Sequence, residues 1–328
     1  MAKIGIIGAG TWGLALARML CNSGHEVTVW SSSRAQTLAE KRSHPKLPGM
    51  VLPQAIEFTG DLQPVCEGKD VLVFAVPSVH LRATAEKARD YIPAGQVIVD
   101  VAKGIEPDTL LTMTGVIKDA LQKEVKLVAL SGPTHAEEVA RDLPTTIVSA
   151  CEDIATAEYI QDIFMNTCLR VYTNTDVLGV ELCGAMKNIM ALAAGAGAGL
   201  GYGDNTKAAL ITRGMAEITR LGKAMGAREQ TFAGLAGMGD LIVTCTSQHS
   251  RNNRCGELIG QGVPVKEAVE QIGMVVEGIN AIPAALKLKE LYHVDMPIVT
   301  AVDAVVNHGA DPRAAVNALM ERERKPER

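Results

Sequence analysis

A lone lysine stands in one of the most apolar stretches of the chain, Glu181-Leu182-Cys183-Gly184-Ala185-Met186-Lys187-Asn188-Ile189-Met190-Ala191-Leu192. Apolar residues flank it for a full helical turn on each side. A lysine there either snorkels its ammonium to the surface or stays desolvated, with a lowered pKa that suits proton transfer. A second cation, Lys103, closes Val99-Asp100-Val101-Ala102-Lys103-Gly104. It is either a surface lysine or a group facing a ligand at a strand end. A third, Arg251, lies in Ser250-Arg251-Asn252-Asn253-Arg254. Hydroxyl, guanidinium and amide at a helix start form a phosphate site, against the plainer reading of a capped helix with solvated arginines. Asp240, in Gly237-Met238-Gly239-Asp240-Leu241, reads as a carboxylate in a turn, a common turn former or cap.

The most specific pattern is Gly8-Ala9-Gly10-Thr11-Trp12-Gly13, a G-x-G-x-x-G that follows a strand directly and opens a helix. Gly8 permits the tight turn, Gly10 lets backbone approach a pyrophosphate, and Gly13 lets helix pack on strand. A dinucleotide is therefore expected. The second strand ends Val29-Trp30-Ser31-Ser32-Ser33-Arg34, without the carboxylate that takes a ribose 2′-hydroxyl in NAD sites. Three hydroxyls and Arg34 suit a 2′-phosphate, so NADP (as NADPH) is the expected cofactor, with use of both NADP and NAD as the alternative. In Ser131-Gly132-Pro133-Thr134-His135-Ala136-Glu137, Thr134 and Glu137 have capping-box spacing. Cys245, His249 and Cys255 offer three metal ligands without a fourth nearby, so no metal is expected.

These residues need elements to hold them. The chain has 328 residues, room for about two domains. It is 47% hydrophobic and 21% charged with formal charge -5, which excludes a disordered chain and gives no sign of nucleic-acid binding. Seven cysteines without a C-x-x-C pair point to reduced thiols and an intracellular setting. The opening MAKIGIIGAG runs straight into a strand, so no signal peptide is expected. Stretch 182–203 is the most membrane-like, but Lys187, Asn188 and its glycines predict a buried helix. The closing ERERKPER reads as a solvated tail.

Apolar β-rich runs at 3–7, 26–30, 70–76, 96–101, 126–130, 145–149 and 169–172 alternate with helical patterns such as 12–22 and 78–89. Beyond about 176 the spacing turns helical, as at 206–225, 265–272, 281–292 and 297–308. The expected fold is α/β: a Rossmann-like, mostly parallel sheet over 1–180, followed by an all-α substrate and catalytic domain over 181–328.

Taken together, the chain resembles the bacterial NAD(P)-dependent glycerol-3-phosphate dehydrogenase family over nearly its whole length. The resemblance rests on GAGTWG at 8–13, AKGIE at 102–106, SGPTHAEE at 131–138, GVELCGAMKN at 179–188, ALITRG at 209–214, GLAGMGDLIVTCTS at 234–247, SRNNRCGELIGQG at 250–262 and VVEG at 275–278. It implies a cytoplasmic homodimer without integral membrane association. The implied reaction interconverts dihydroxyacetone phosphate and sn-glycerol 3-phosphate, a small phosphorylated substrate that feeds glycerophospholipid synthesis. By matching position it implies Lys187 as proton donor and acceptor, and Lys103 as shared by substrate and cofactor. Gly132, Thr134, Asp240, Ser250, Arg251 and Asn252 are implied substrate contacts. Thr11, Trp12, Ala136, Arg251, Val275 and Glu277 are implied cofactor contacts, joined by Arg34, with Asn188 and Thr244 in support. The segment Ser43-His44-Pro45-Lys46-Leu47-Pro48-Gly49 departs from the family's Asn-Tyr-Leu-Pro-Gly, and no cofactor contact is carried over to it. Two other readings share the architecture: an NADP-dependent reductase of a β-hydroxy or keto acid, and a non-enzymatic NADPH-binding redox sensor. The sensor would have no use for Lys187 in an apolar helix or for a second anion site.

Overall fold

The computed structural model describes residues 1–328 apart from Asn166, Lys325 and Arg328. Its strands are β1 (Lys3–Ile7), β2 (Glu26–Trp30), β3 (Glu57–Thr59), β4 (Val71–Phe74), β5 (Val97–Asp100), β6 (Lys126–Ser131), β7 (Thr145–Ala150) and β8 (Leu169–Asn174). They form one sheet in the order β3-β2-β1-β4-β5-β6-β7-β8. Neighbours run parallel except β6 and β7. The reversal follows from the connection: segment 132–144 holds only the short helix Ala136–Val139, which cannot carry the chain back along the sheet.

Strand side chains alternate between faces, and this sheet is buried on both. Val71 and Val73 join one core with Leu14, Leu16 and Leu20 of helix Thr11–Asn22. Leu72 and Phe74 join another with Leu81 and Ala85 of helix Ser78–Ala88 and Ile117 of helix Met113–Leu121. Burial on both faces explains why these strands read as continuous apolar runs. β3 escapes the sequence pattern because it is a three-residue edge strand that begins with a charge. The strand order turns back between β1 and β4, the place where open α/β sheets hold ligands at the carboxyl ends of their strands.

After β8 all regular elements among the described residues are helical. The hub is Val177–Gly199, which meets Asp204–Ala224, Asp240–Thr246, Arg251–Gly260 and Glu277–Leu291. With mean hydropathy 1.5 it is apolar enough to cross a membrane, but it is buried inside the protein. Small residues let its neighbour come into backbone contact. A Cβ on Gly195 would lie 1.9 Å from the Asn253 carbonyl oxygen, and one on Gly256 2.1 Å from that of Leu192. Glycine thus takes the packing role that the scarce aromatics do not. The helix expected at 281–292 starts earlier, at Glu277, and carries Pro283 inside it. In the closing ERERKPER, Arg322 pairs with Asp295 at 2.7 Å; Lys325 and Arg328 lie outside the described residues.

Candidate functional site

The turn after β1 gives each glycine a distinct physical task. Gly8 has φ +123°, a conformation open mainly to glycine, and a Cβ there would meet the Ala75 carbonyl oxygen at 2.5 Å. A Cβ on Gly13 would lie 2.2 Å from the Gly8 carbonyl oxygen, so this glycine seats the helix on the strand. Gly10 is different: its backbone is extended and nothing stands within 4 Å of where a Cβ would go. It precedes helix Thr11–Asn22, whose start has no side-chain cap. Free N–H groups beside open space are what a pyrophosphate needs, and the chain fits a dinucleotide there.

Gly13→Ala is therefore expected to cost about 1–3 kcal/mol of stability through overpacking. Gly10→Ala should melt like the parent yet bind NADPH and NADH more weakly. Thermal melts with cofactor titrations separate the two, and a Gly10→Ala protein with parental affinity for both would contradict the assignment.

Across the cleft, a cavity of about 260 Å³ is lined by Gly10, Thr11, Trp12, Lys103, Thr134, Lys187, Asp240, Ser250, Arg251, Asn252 and Glu277, with Asn188 and Thr244. A second, of about 330 Å³, adjoins it and is lined by Thr11, Trp12, Thr134, Ala136 and Arg251 together with Lys46. At the centre is Asp240, fully buried. It opens helix Asp240–Thr246 directly after the wide turn Leu235–Gly239. One carboxylate oxygen accepts from Lys187 Nζ, and the other accepts from Lys103 Nζ at 2.7 Å. Lys187 also donates to Thr244 Oγ1 at 2.8 Å. Its ammonium does not snorkel. Burial pulls the Lys187 pKa down, Asp240 opposes this, and the charge of Lys103 adds to the fall, leaving it at about 7. A group poised near 7 serves as proton donor or acceptor at neutral pH.

Lys103 further donates to the Gly132 carbonyl at 3.0 Å and to Thr134 Oγ1 at 3.2 Å. This corrects the capping-box expectation. Helix Ala136–Val139 begins after His135 without a side-chain cap, because the Thr134 hydroxyl is engaged by Lys103 and itself donates to the Gly132 carbonyl. Asn252 links the helical elements: its amide donates to Asn188 Oδ1 at 2.9 Å, and its carbonyl oxygen accepts from Gly278 N. Ser250 caps helix Arg251–Gly260 by accepting from Asn253 N at 3.2 Å. Arg251 spends one N–H on the Val275 carbonyl at 3.1 Å. Val275 thus enters through its backbone, as a brace for Arg251.

Some expected residues stand apart from both cavities. Arg34 lies past the end of β2, its guanidinium bonded to the Ala9 carbonyl at 3.0 Å. Of the three serines before it, Ser31 turns inward, where its Oγ accepts from Arg34 N at 3.1 Å. The expected triple-hydroxyl cluster is therefore reduced to the exposed Ser32 and Ser33. Glu277, by contrast, lines the first cavity; it accepts from Ser78 N at 3.1 Å and from Ser78 Oγ at 2.5 Å, tying the helical half to the loop after β4. Cys245 and Cys255 are buried within the helical core; no metal-holding group of three occurs among the described residues.

Sequence reading missed two cavity residues, His135 and His249, whose rings lie 5.8 Å apart. Burial, then the charges of Lys187, His249 and Lys103, push His135 down to about 4, so it is neutral at pH 7. A single histidine inside a longer motif carries no signal that separates lining from packing. Glu181 was also missed as an anchor. Buried, it accepts from Thr112 Oγ1, Thr114 N and Thr114 Oγ1 at 2.6–2.8 Å and pins the lysine helix to the segment that follows β5.

Comparison with known proteins gives the family. The family model described as NAD-dependent glycerol-3-phosphate dehydrogenase N-terminus matches residues 3–157, and its C-terminal counterpart matches 176–317. A protein of Lactobacillus delbrueckii subsp. bulgaricus, named an NAD(P)+ glycerol-3-phosphate dehydrogenase, is 64% identical, the alignment covering 100% of this chain and 99% of that one. One of Agathobacter rectalis with the same activity in its name is 52% identical over 100% of this chain and 98% of its own. The crystal structure of glycerol-3-phosphate dehydrogenase from Coxiella burnetii superimposes with TM-score 0.94 at 35% identity, covering 98% of this chain and 99% of that one.

Proposed function

The chain belongs to the NAD-dependent glycerol-3-phosphate dehydrogenase family, and from that premise we propose that Lys187 carries the proton as it interconverts dihydroxyacetone phosphate and sn-glycerol 3-phosphate with NAD(P)H. The observation that carries this reading is the pair of lysines, Lys187 and Lys103, held on one buried carboxylate at the floor of the cleft. Bound NAD(P)H supplies the hydride. The chain's own residues do the rest. Lys187 donates a proton to the substrate oxygen as negative charge develops on it, and takes one back in oxidation. Lys103 adds positive potential beside it. Asp240 and Thr244 fix the Lys187 ammonium, and the Asn188–Asn252 bond fixes the helix that carries it. Ser250, Arg251 and Asn252 hold the phosphate at the start of their helix, so remote binding orients the small reacting end.

The same reading divides the chain near residue 180 into a cofactor half and a catalytic half, and takes the working form as a cytoplasmic homodimer that supplies glycerophospholipid synthesis. Its support is the full-length likeness to the family. Following NADPH absorbance with dihydroxyacetone phosphate tests the reaction. Turnover of a keto acid instead would favour the carboxylate-reductase alternative, and no turnover of either would favour a sensor.

Two substitutions test the binding roles. Arg34→Ala is expected to raise KM for NADPH by roughly tenfold while barely altering that for NADH, since Arg pairs with a 2′-phosphate. Equal losses for both cofactors would remove Arg34 from that role. Arg251→Lys should lower kcat/KM for dihydroxyacetone phosphate by roughly 10–100-fold, because lysine cannot reproduce the fork. Unphosphorylated dihydroxyacetone, a poor substrate for the parent, should suffer much less. If both substrates lose the same factor, the phosphate lies elsewhere.

A further inference from the structure

His44 is buried, at 5% exposure, while Ser43, Pro45 and Lys46 around it are exposed. Its ring reaches the guanidinium of Arg34, with Nε2 2.9 Å from Nη1. The other terminal nitrogen of Arg34 donates to the Ala9 carbonyl inside the G-x-G turn. The guanidinium is therefore clamped from two sides, beside the carboxyl end of β2. A guanidinium only donates, so Nε2 must be the accepting nitrogen and the ring must be neutral, with its proton on Nδ1. Lys46 N lies 3.2 Å from Nδ1 and competes for the other tautomer; the shorter, charge-assisted bond from Arg34 prevails. Burial, Arg34 and Lys46 all push the His44 pKa down, away from the imidazolium that would break the clamp.

We propose that His44 is a positioning residue for cofactor choice, holding the Arg34 guanidinium where its remaining N–H groups meet the 2′-phosphate of an NADP-type dinucleotide. The inference rests on the reading of Arg34 as the 2′-phosphate contact. A long surface arginine loses much rotamer freedom when it pairs; one already fixed by His44 and Ala9 has lost it before the cofactor arrives, and preorganisation appears as affinity. NADH has no 2′-phosphate and gains nothing from the clamp.

The test is equilibrium titration with NADPH and NADH, read by protein fluorescence and set beside steady-state KM values, on His44→Phe, which fills the volume without an acceptor, and on His44→Gln, which offers a carbonyl oxygen; Kd should move as KM does. His44→Phe should raise KM for NADPH about three- to tenfold, the reach of one hydrogen bond, with KM for NADH and kcat little changed. His44→Gln should recover most of the loss. In an Arg34→Ala background, His44→Phe should have no further effect on NADPH. Equal losses for both cofactors, no loss at all, or an undiminished NADPH loss in the Arg34→Ala background would each overturn the proposal and leave His44 as loop packing. Should His44→Phe fail to fold, His44→Ala decides on the same ratio. The two readings fail separately. If Arg34→Ala leaves the NADPH-to-NADH ratio unchanged, the Arg34 assignment falls; if it shifts the ratio while His44→Phe does not, only the role of His44 falls.

Discussion

Replacing Lys187 by alanine is expected to lower kcat about 10²–10⁴-fold, the usual contribution of a positioned general acid or base, with the fold intact. The fold should survive because Asp240 keeps its ion pair with Lys103 at 2.7 Å, so no buried carboxylate is stranded. The parent supplies a second signature. With a pKa of about 7, Lys187 is an ammonium below that pH and a free amine above it. Reduction needs the ammonium, so its kcat/KM should fall as pH rises through about 7. Oxidation needs the amine and should rise over the same range. The variant should lose this limb in both directions. A folded variant with near-normal kcat, measured where deuterated NADPH shows chemistry to be rate-limiting, would move the proton to another group, with Lys103 the nearest ammonium.

Asp240→Asn is expected to cost about 10²-fold or more in kcat/KM at pH 7, the lower bound for disabling a positioned acid. Asp240 is fully buried and, among the described residues, is the one carboxylate that meets both lysines. Its charge raises the Lys187 pKa against burial and Lys103. Without it, the midpoint of the reductive pH profile should move below about 7, and the ammonium should be scarce at neutral pH. Removing one member of a buried ion pair also destabilises by about 3–5 kcal/mol as a rule. The loss here should be smaller, because Lys187 can shed its proton. The pH profile distinguishes the roles: a lower midpoint marks Asp240 as the electrostatic partner of Lys187. A parental rate and midpoint would leave both lysines without their assigned anchor.

Much of the first half was legible because its information is local. Strands buried on both faces print as apolar runs, and a glycine needed for backbone approach must stand at a fixed offset from the strand it follows. The extent of Val177–Gly199 was partly legible for the same reason, and the isolation of Lys187 within it marked the residue. The hydroxyl of Thr134 misled, since capping-box spacing says nothing of a competing ammonium 31 residues earlier in the chain.

By itself, then, the sequence determined the sheet with its dinucleotide turn, the helical second half, and a desolvated lysine with candidate cations around it. Tertiary structure decided which of these groups meet. Asp240 reads as an ordinary turn carboxylate until helix Asp240–Thr246 packs against the lysine helix and brings it to Lys187 and Lys103. Arg251 reads as a phosphate ligand or a solvated arginine until Gly195 and Gly256 let two backbones touch and set its helix start at the cavity. Glu277 became a tie to Ser78, and His44 a clamp on Arg34, by the same route. Spacing along a chain fixes only neighbours within a turn or a pleat. Pairings across tens or hundreds of residues depend on how elements pack, and the pKa of Lys187 depends on the burial and charges that this packing creates.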